Sequence, residues 1–156
     1  MDPLAFASPL VYLPPRDLLT WDKSDMPRSP GVYVLIAEKS FTYPGGESPV
    51  FYIGAASRLR RRLRQHKIGI GRAASDRKHT IYPPPWEYAA KFGVQVAIAP
   101  VVNARTAEFM LLAKFAKAYR SLPVANNAVN RRMIRKLFPV QPSDIELPPA
   151  NEAADA

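Results

Sequence analysis

Two tyrosines in neighbouring predicted strands are the first candidates for chemistry. Tyr33 lies in the apolar, β-branched stretch of residues 31–38, and Tyr52 lies in residues 50–54. Because side chains alternate along a strand, both phenols emerge on one face of a sheet in a suitable hairpin register. A positioned phenol can take part in general acid–base catalysis. The simpler interpretation is that both are amphipathic core residues.

An arginine-rich helix follows, predicted to be capped by Ser57 and to run to about residue 67. One face of it carries residues spaced at i, i+3, i+4 and i+7, namely Leu59, Arg62, Leu63 and His66. A guanidinium beside leucines should meet an anion, and phosphate suits the bidentate arginine fork. The arginines outside this stripe are expected to meet solvent or phosphate; they are Arg58, Arg60, Arg61 and Arg64.

A carboxylate stands out on a later helix, which is predicted to begin at Asn103 or Thr106 and to end at Tyr119. Glu108 occupies its first turn and follows the same periodicity as its apolar residues, which include Leu111, Leu112 and Phe115. The helix dipole favours a carboxylate there. A carboxylate on the buried stripe is otherwise costly unless it is paired or bound to a metal.

The elements that must position these residues have the order β-β-α-(α)-β-α-α. A turn is predicted at residues 42–49, a basic loop at 69–80, a short helix at 86–92, a third strand at 94–102 and a basic helix at 129–137. We therefore expect an α+β fold: a single domain with a small three-stranded, mostly antiparallel sheet flanked by helices.

The prolines divide the chain into three segments. Six of the 17 prolines lie in residues 1–30 and four in residues 139–156, where they disfavour long helices and central strands. The predicted organisation is a proline-rich arm over residues 1–26 with one short helix at 17–21, a domain over 27–138, and an acidic tail over 139–156.

Composition excludes several classes of protein. The chain has 156 residues and no cysteine, which excludes disulfides, thiolate zinc sites and a cysteine nucleophile. The net charge of +9 is concentrated in the middle, where residues 51–80 carry nine basic side chains against Asp76 alone. A polyanionic partner is indicated. We expect a cytoplasmic or nucleoid-associated protein that is not secreted and does not associate with membranes.

The ordered motifs resemble those of the GIY-YIG nuclease superfamily over residues 27–128. The first triplet reads Gly31-Val32-Tyr33, and Tyr52-Ile53-Gly54 follows after eighteen intervening residues. The stretch from Tyr52 to His66 resembles the next motif, in which the arginine ten residues after the tyrosine falls on Arg62. The stretch 104–112 resembles the element that holds the family's metal-binding glutamate, at Glu108. A proline-x-x-asparagine turn ends the family domain and fits residues 123–126, with Asn127 as an adjacent alternative to Asn126.

The resemblance implies a metal-dependent endonuclease that hydrolyses phosphodiesters with one Mg²⁺ or Mn²⁺ per site and no small-molecule cofactor. Tyr33 would act as general base toward water, and Arg62 would neutralise charge on the phosphate. Glu108 would hold the metal. Tyr52 would orient the water or phosphate, His66 would hydrogen-bond near Tyr33, and Asn126 would position a strand end.

DNA is the expected partner, and whether it is single-stranded, branched or duplex is left open, as is RNA. The sequence also leaves open the biological pathway (repair, restriction, a mobile element or a toxin) and whether the protein is a monomer or a homodimer. Gly54 is expected to let the nucleic-acid backbone approach closely. Phosphate contacts are expected from Arg58, Arg60, Arg61, Arg64, Lys67, Arg131, Arg132 and Arg135. Without added domains, cleavage should be structure-selective or weakly sequence-selective. The main alternative is a non-catalytic nucleic-acid-binding protein of the same fold. His79 is expected to be a surface residue.

Overall fold

The computed structural model describes residues 2–76 and 81–126. They form an α+β fold with one antiparallel sheet, whose strands lie in the order β1-β4-β2-β3. The strands are β1 (Arg16–Asp17), β2 (Gly31–Tyr43), β3 (Gly46–Ala56) and β4 (Gln95–Pro100), and the helices are α1 (Leu59–Ser75), α2 (Pro84–Phe92) and α3 (Ala104–Tyr119). The predicted α+β class and antiparallel sheet are confirmed. The predicted helix at 129–137, the tail and His79 lie outside the described residues.

The sheet has four strands, so the prediction of three is wrong. The fourth is β1, which comes from the arm and pairs with β4. Leu18, Trp21 and Met26 of the arm are buried in the same apolar core as the sheet. The predicted helix at 17–21 is also wrong, because residues 18–20 form a turn. The arm is therefore packed into the domain by its apolar side chains, despite its prolines.

The hairpin and the first helix are longer than the sequence predicted. Strands β2 and β3 leave only residues 44–45 between them, so the long turn predicted at 42–49 is wrong. Helix α1 continues to Ser75 through most of the predicted basic loop. A helical glycine costs only about 1 kcal/mol, and burial of Ile70 on α1 offsets that cost.

The start of α1 depends on the segment between the arm and β2 and not on a capping side chain. Arg58 is the N-cap residue and makes no side-chain cap bond, so the predicted cap at Ser57 is wrong. The first N–H groups of α1 instead donate to carbonyls of that segment, Leu59 to Ser29 at 3.1 Å and Arg60 to Pro27 at 2.8 Å. These bonds satisfy donors that have no partner within a helix. They fix the residue at which the arginine-rich helix begins.

Candidate active site

The hairpin register brings Tyr33 and Tyr52 to one face of the sheet, as predicted. Tyr33 lies opposite Gly54, and Leu35 lies opposite Tyr52, so the two phenols are diagonal neighbours. Their ring centroids are 6.1 Å apart. Tyr33 is fully buried, whereas Tyr52 is half-buried.

Helix α1 places Arg62 and His66 against the Tyr33 hydroxyl. The leucines of the predicted stripe are buried with His66, and Arg62 is half-buried beside them. Arg62 Nε donates a hydrogen bond to Tyr33 Oη at 3.2 Å, and His66 Nε2 lies 2.8 Å from the same oxygen. Two nitrogens one helical turn apart therefore converge on one phenol oxygen.

Trp86, which sequence reasoning missed, completes this cluster from α2. Its indole Nε1 donates a hydrogen bond to His66 Nδ1 at 3.1 Å. The ring lies directly over Gly69, where an added Cβ would come within 2.3 Å of the indole carbons. A glycine inside a helical pattern is the signal in the sequence that an aromatic ring packs there, but it does not say which ring.

Burial dominates the electrostatics around Tyr33. It raises the pKa of Tyr33 above its ordinary value, Tyr52 adds to that rise, and Arg62 opposes it. Burial, reinforced by the Arg62 charge, lowers the pKa of His66 to about 3, so the imidazole is neutral at pH 7. For Arg62, burial lowers the pKa, but the nearby Tyr33 and Tyr52 outweigh it and the group remains charged.

Glu108 lies close enough to this cluster to perturb it. Its charge raises the pKa of Tyr33. Burial raises the pKa of Glu108 to about 7, and the charges of Arg105 and, to a smaller extent, Arg62 oppose that rise. Helix α3 begins at Ala104, so Glu108 lies in the second turn, beyond the first turn where the dipole favours a carboxylate. The prediction that Glu108 lies in the first turn is therefore wrong. Stabilisation by the helix dipole, the simplest structural explanation for a carboxylate here, is correspondingly weaker.

The Glu108 carboxylate lines a groove of about 580 Å³ between the end of β3 and the start of α3. Within residues 2–76 and 81–126 it takes part in no hydrogen bond or ion pair. No cluster of three or more histidine, aspartate and glutamate side chains exists in the described part of the chain. Mg²⁺ needs only one or two carboxylates because it keeps several waters. A single unpaired carboxylate beside an open groove fits that requirement.

Gly54 and Asn126 support the site rather than line it. An added Cβ on Gly54 would lie 2.4 Å from Tyr33 Oη, so the Tyr33 ring by itself requires glycine here. Asn126 Oδ1 accepts from Ile53 N at 3.1 Å, and its Nδ2 donates to Ile53 O at 2.9 Å. Asn126 thus holds the exposed edge of β3. Asn127 lies outside the described residues.

The predicted phosphate-binding residues divide into two groups. Arg58, Arg61 and Arg64 are exposed and, with Lys23 of the arm and Arg28 just after it, line a basic groove of about 630 Å³. Arg60 also borders this groove, but its guanidinium donates to the carbonyls of Met26 and Ser24. Lys67 donates to the Trp21 carbonyl at 3.0 Å. Arg60 and Lys67 therefore anchor the arm, which the sequence did not predict. Arg131, Arg132 and Arg135 lie outside the described residues.

Comparisons of this chain with protein-family models, with curated proteins and with solved structures find no match. None of the described helices has the length and apolarity needed to cross a membrane.

Proposed function

We propose that this protein is a metal-dependent endonuclease of the GIY-YIG type that hydrolyses DNA phosphodiester bonds. The observation that carries the proposal is the convergence of Arg62 and His66 on the Tyr33 hydroxyl, beside Tyr52 and within electrostatic reach of Glu108. Hydrolysis needs a proton acceptor for water, a cation for the phosphate and a ligand for a divalent ion. Groups of these three kinds come from β2, α1 and α3, and their charges influence one another.

Arg62 is the group that meets the scissile phosphate. Its Nη1 makes a weak bond with Gln65 Oε1 at 3.4 Å, and Tyr52 is a further hydrogen-bond partner, so a phosphate oxygen would replace these neutral partners with a stronger, charged one. As water attacks phosphorus, negative charge grows on the phosphoryl oxygens, and the guanidinium neutralises it. The bond from phosphorus to the leaving oxygen then breaks.

Tyr33 accepts the proton of the attacking water. Its own proton must leave first and pass to a water molecule; the hydroxyl oxygen is hydrogen-bonded to His66 Nε2 and to the donor Arg62 Nε. The hydroxyl has no solvent exposure in the free protein, because the residue is fully buried. A phosphate that draws Arg62 outward would uncover this hydroxyl. Tyr52, half-buried and adjacent, orients the water or phosphate.

Glu108 holds one Mg²⁺ or Mn²⁺, because its carboxylate is unpaired and lines an open groove. A bound ion would supply Lewis-acid chemistry that polarises the phosphate, favours loss of the Tyr33 proton and stabilises the leaving oxygen. Asn126 and Gly54 keep Tyr52 and Tyr33 in register through the β3 backbone.

The basic groove carries the nucleic-acid backbone. Its side chains come from α1 and from the arm, and phosphate contacts position a duplex or branch without reading bases. We therefore expect structure-selective or weakly sequence-selective cleavage. Binding should weaken steeply with salt as counterions are released.

The decisive experiment measures Mg²⁺-dependent cleavage of single-stranded, nicked, branched and duplex DNA by folded variants. Glu108→Gln and Arg62→Ala should each lower the rate by about 10²–10³-fold, as expected for positioned electrostatic groups. The matched controls are Glu47→Gln and Lys117→Ala, which remove exposed charges elsewhere. Near wild-type rates for Glu108→Gln or Arg62→Ala would refute the assignment.

A second candidate function is nucleic-acid binding without cleavage, favoured by the complete burial of the Tyr33 hydroxyl. It predicts salt-sensitive DNA binding with no Mg²⁺-dependent product on any of the four substrates. It also predicts that Tyr33→Phe binds DNA as well as the wild type does.

A further inference from the structure

The bond between Trp86 and His66 determines which imidazole nitrogen carries the proton. An indole N–H can only donate, so His66 Nδ1, 3.1 Å from Trp86 Nε1, must offer a lone pair. A charged imidazolium has no such lone pair, and neither does the Nδ1–H tautomer. The neutral Nε2–H tautomer remains.

The Nε2 proton has one partner, the Tyr33 oxygen. His66 Nε2 lies 2.8 Å from Tyr33 Oη, so in this tautomer His66 donates and Tyr33 accepts. Arg62 Nε donates to the same oxygen at 3.2 Å. The two lone pairs of the phenol oxygen therefore each receive an N–H, and the oxygen is surrounded by the groups that stabilise a negative charge.

We propose that Trp86 is a positioning residue that holds His66 in the Nε2–H tautomer and so makes His66 a hydrogen-bond donor to Tyr33. The partner of one ring nitrogen sets the protonation of the other. His66 is consequently neither the base that deprotonates Tyr33 nor a cation for the phosphate. The catalytic consequence rests on the proposed nuclease function, but the tautomer does not.

The packing around the indole supports this role. Ring carbons of Trp86 occupy the space that a Cβ of Gly69 would fill, so α1 has a gap that seats the indole against its surface. The indole therefore reaches the same helix that carries His66. Burial and the Arg62 charge also disfavour protonation of His66, which agrees with a neutral ring.

The direct test is nuclear magnetic resonance of the full chain with ¹⁵N-labelled histidine, without metal or DNA, at neutral pH. His79→Gln leaves His66 as the one histidine of the chain. We expect Nε2 to be protonated and Nδ1 unprotonated. In Trp86→Phe, the Nδ1–H tautomer should become populated, because its competing donor is gone. Protonated Nδ1 in the wild type, or an unchanged Nε2–H tautomer in Trp86→Phe, would overturn the proposal.

Trp21→Phe is the matched control. Trp21 is the other tryptophan of the chain, and its buried Nε1 has no hydrogen-bond partner among the described residues. Trp21→Phe should leave the His66 tautomer unchanged. A tautomer shift as large as that in Trp86→Phe would mean that loss of indole packing, and not loss of the N–H, is responsible. If Trp86→Phe fails to fold, the isosteric Trp86→3-benzothienylalanine substitution removes only the N–H, and the same outcomes apply.

Cleavage kinetics separate this proposal from the proposed function. Loss of a partner that orients a metal-bound histidine typically lowers activity by about 10–100-fold, and we expect a fall of that order in kcat for Trp86→Phe but not for Trp21→Phe. If the wild type cleaves DNA and Trp86→Phe and Trp21→Phe have equal kcat values, Trp86 has no role in catalysis. If the wild type cleaves no substrate, the nuclease function fails, and the tautomer measurement alone decides whether Trp86 orients His66.

Discussion

Two glycines of helix α1 offer a sharp test of how Trp86 is seated. Gly69 is buried and Gly71 is exposed, and both lie inside the helix. An added Cβ at Gly69 would meet Trp86 Cδ2 at 2.3 Å, whereas at Gly71 it would meet nothing within 4 Å. Replacement of either by alanine makes the same chemical change in the same helix. Only the surroundings differ.

The expected magnitudes follow from these contacts. Gly71→Ala should stabilise the protein by about 1 kcal/mol, because alanine is the better helix former. Gly69→Ala has the same gain, but the methyl group must push the indole away. Overpacking costs about 1–3 kcal/mol, and a buried polar group left without its partner costs about 1–3 kcal/mol more. Gly69→Ala should therefore be roughly 2–6 kcal/mol less stable than Gly71→Ala.

Urea unfolding of the two variants, followed by far-ultraviolet circular dichroism, measures this difference. With a urea m-value of about 2 kcal/mol/M, the smallest expected gap separates the midpoints by about 1 M. Equal stabilisation by both alanines would show that the indole does not occupy the space over Gly69. The seat proposed for Trp86 would then be refuted together with its control of His66.

Three other perturbations test separate parts of the site. Asn126→Ala should destabilise the protein by roughly 2–4 kcal/mol in urea unfolding, because the N–H and C=O of Ile53 in β3 both lose their hydrogen-bond partner. The control Asn103→Ala removes no cap bond and should change the stability by less than about 0.5 kcal/mol. Equal effects of the two substitutions would contradict the role of Asn126. Glu108→Gln should stabilise the metal-free protein by roughly 1–3 kcal/mol at pH 8, because folding raises the carboxyl pKa from 4.5 to about 7 and the wild type therefore loses stability as the pH rises from 4.5 to 7. The gain should fade as the pH falls toward 4, where the carboxyl is neutral, and a gain of the same size at both pH values would argue against the shift. Arg64→Gln should lower the slope of log binding constant against log salt for fluorescent DNA by about 1, whereas Lys117→Gln should not; the reverse result would place the DNA elsewhere.

The local periodicities of the sequence determined which side of each element the key residues occupy. Alternation along two strands predicted that Tyr33 and Tyr52 share a face, and the register confirms it. The helical spacing of Leu59, Leu63 and His66 predicted a buried stripe, and all three are buried. These are properties of one element at a time, because the backbone repeat sets them.

Only the tertiary structure decided which elements meet at the site and what holds them there. Trp86 reaches His66 across 20 residues of sequence, and Asn126 reaches Ile53 across 73. The arm was predicted to lie outside the domain, yet it supplies a strand, core side chains and carbonyls that engage Arg60 and Lys67. The periodicity of a single element does not predict these long-range contacts, because they depend on how side chains from distant segments pack together and satisfy each other's polar groups.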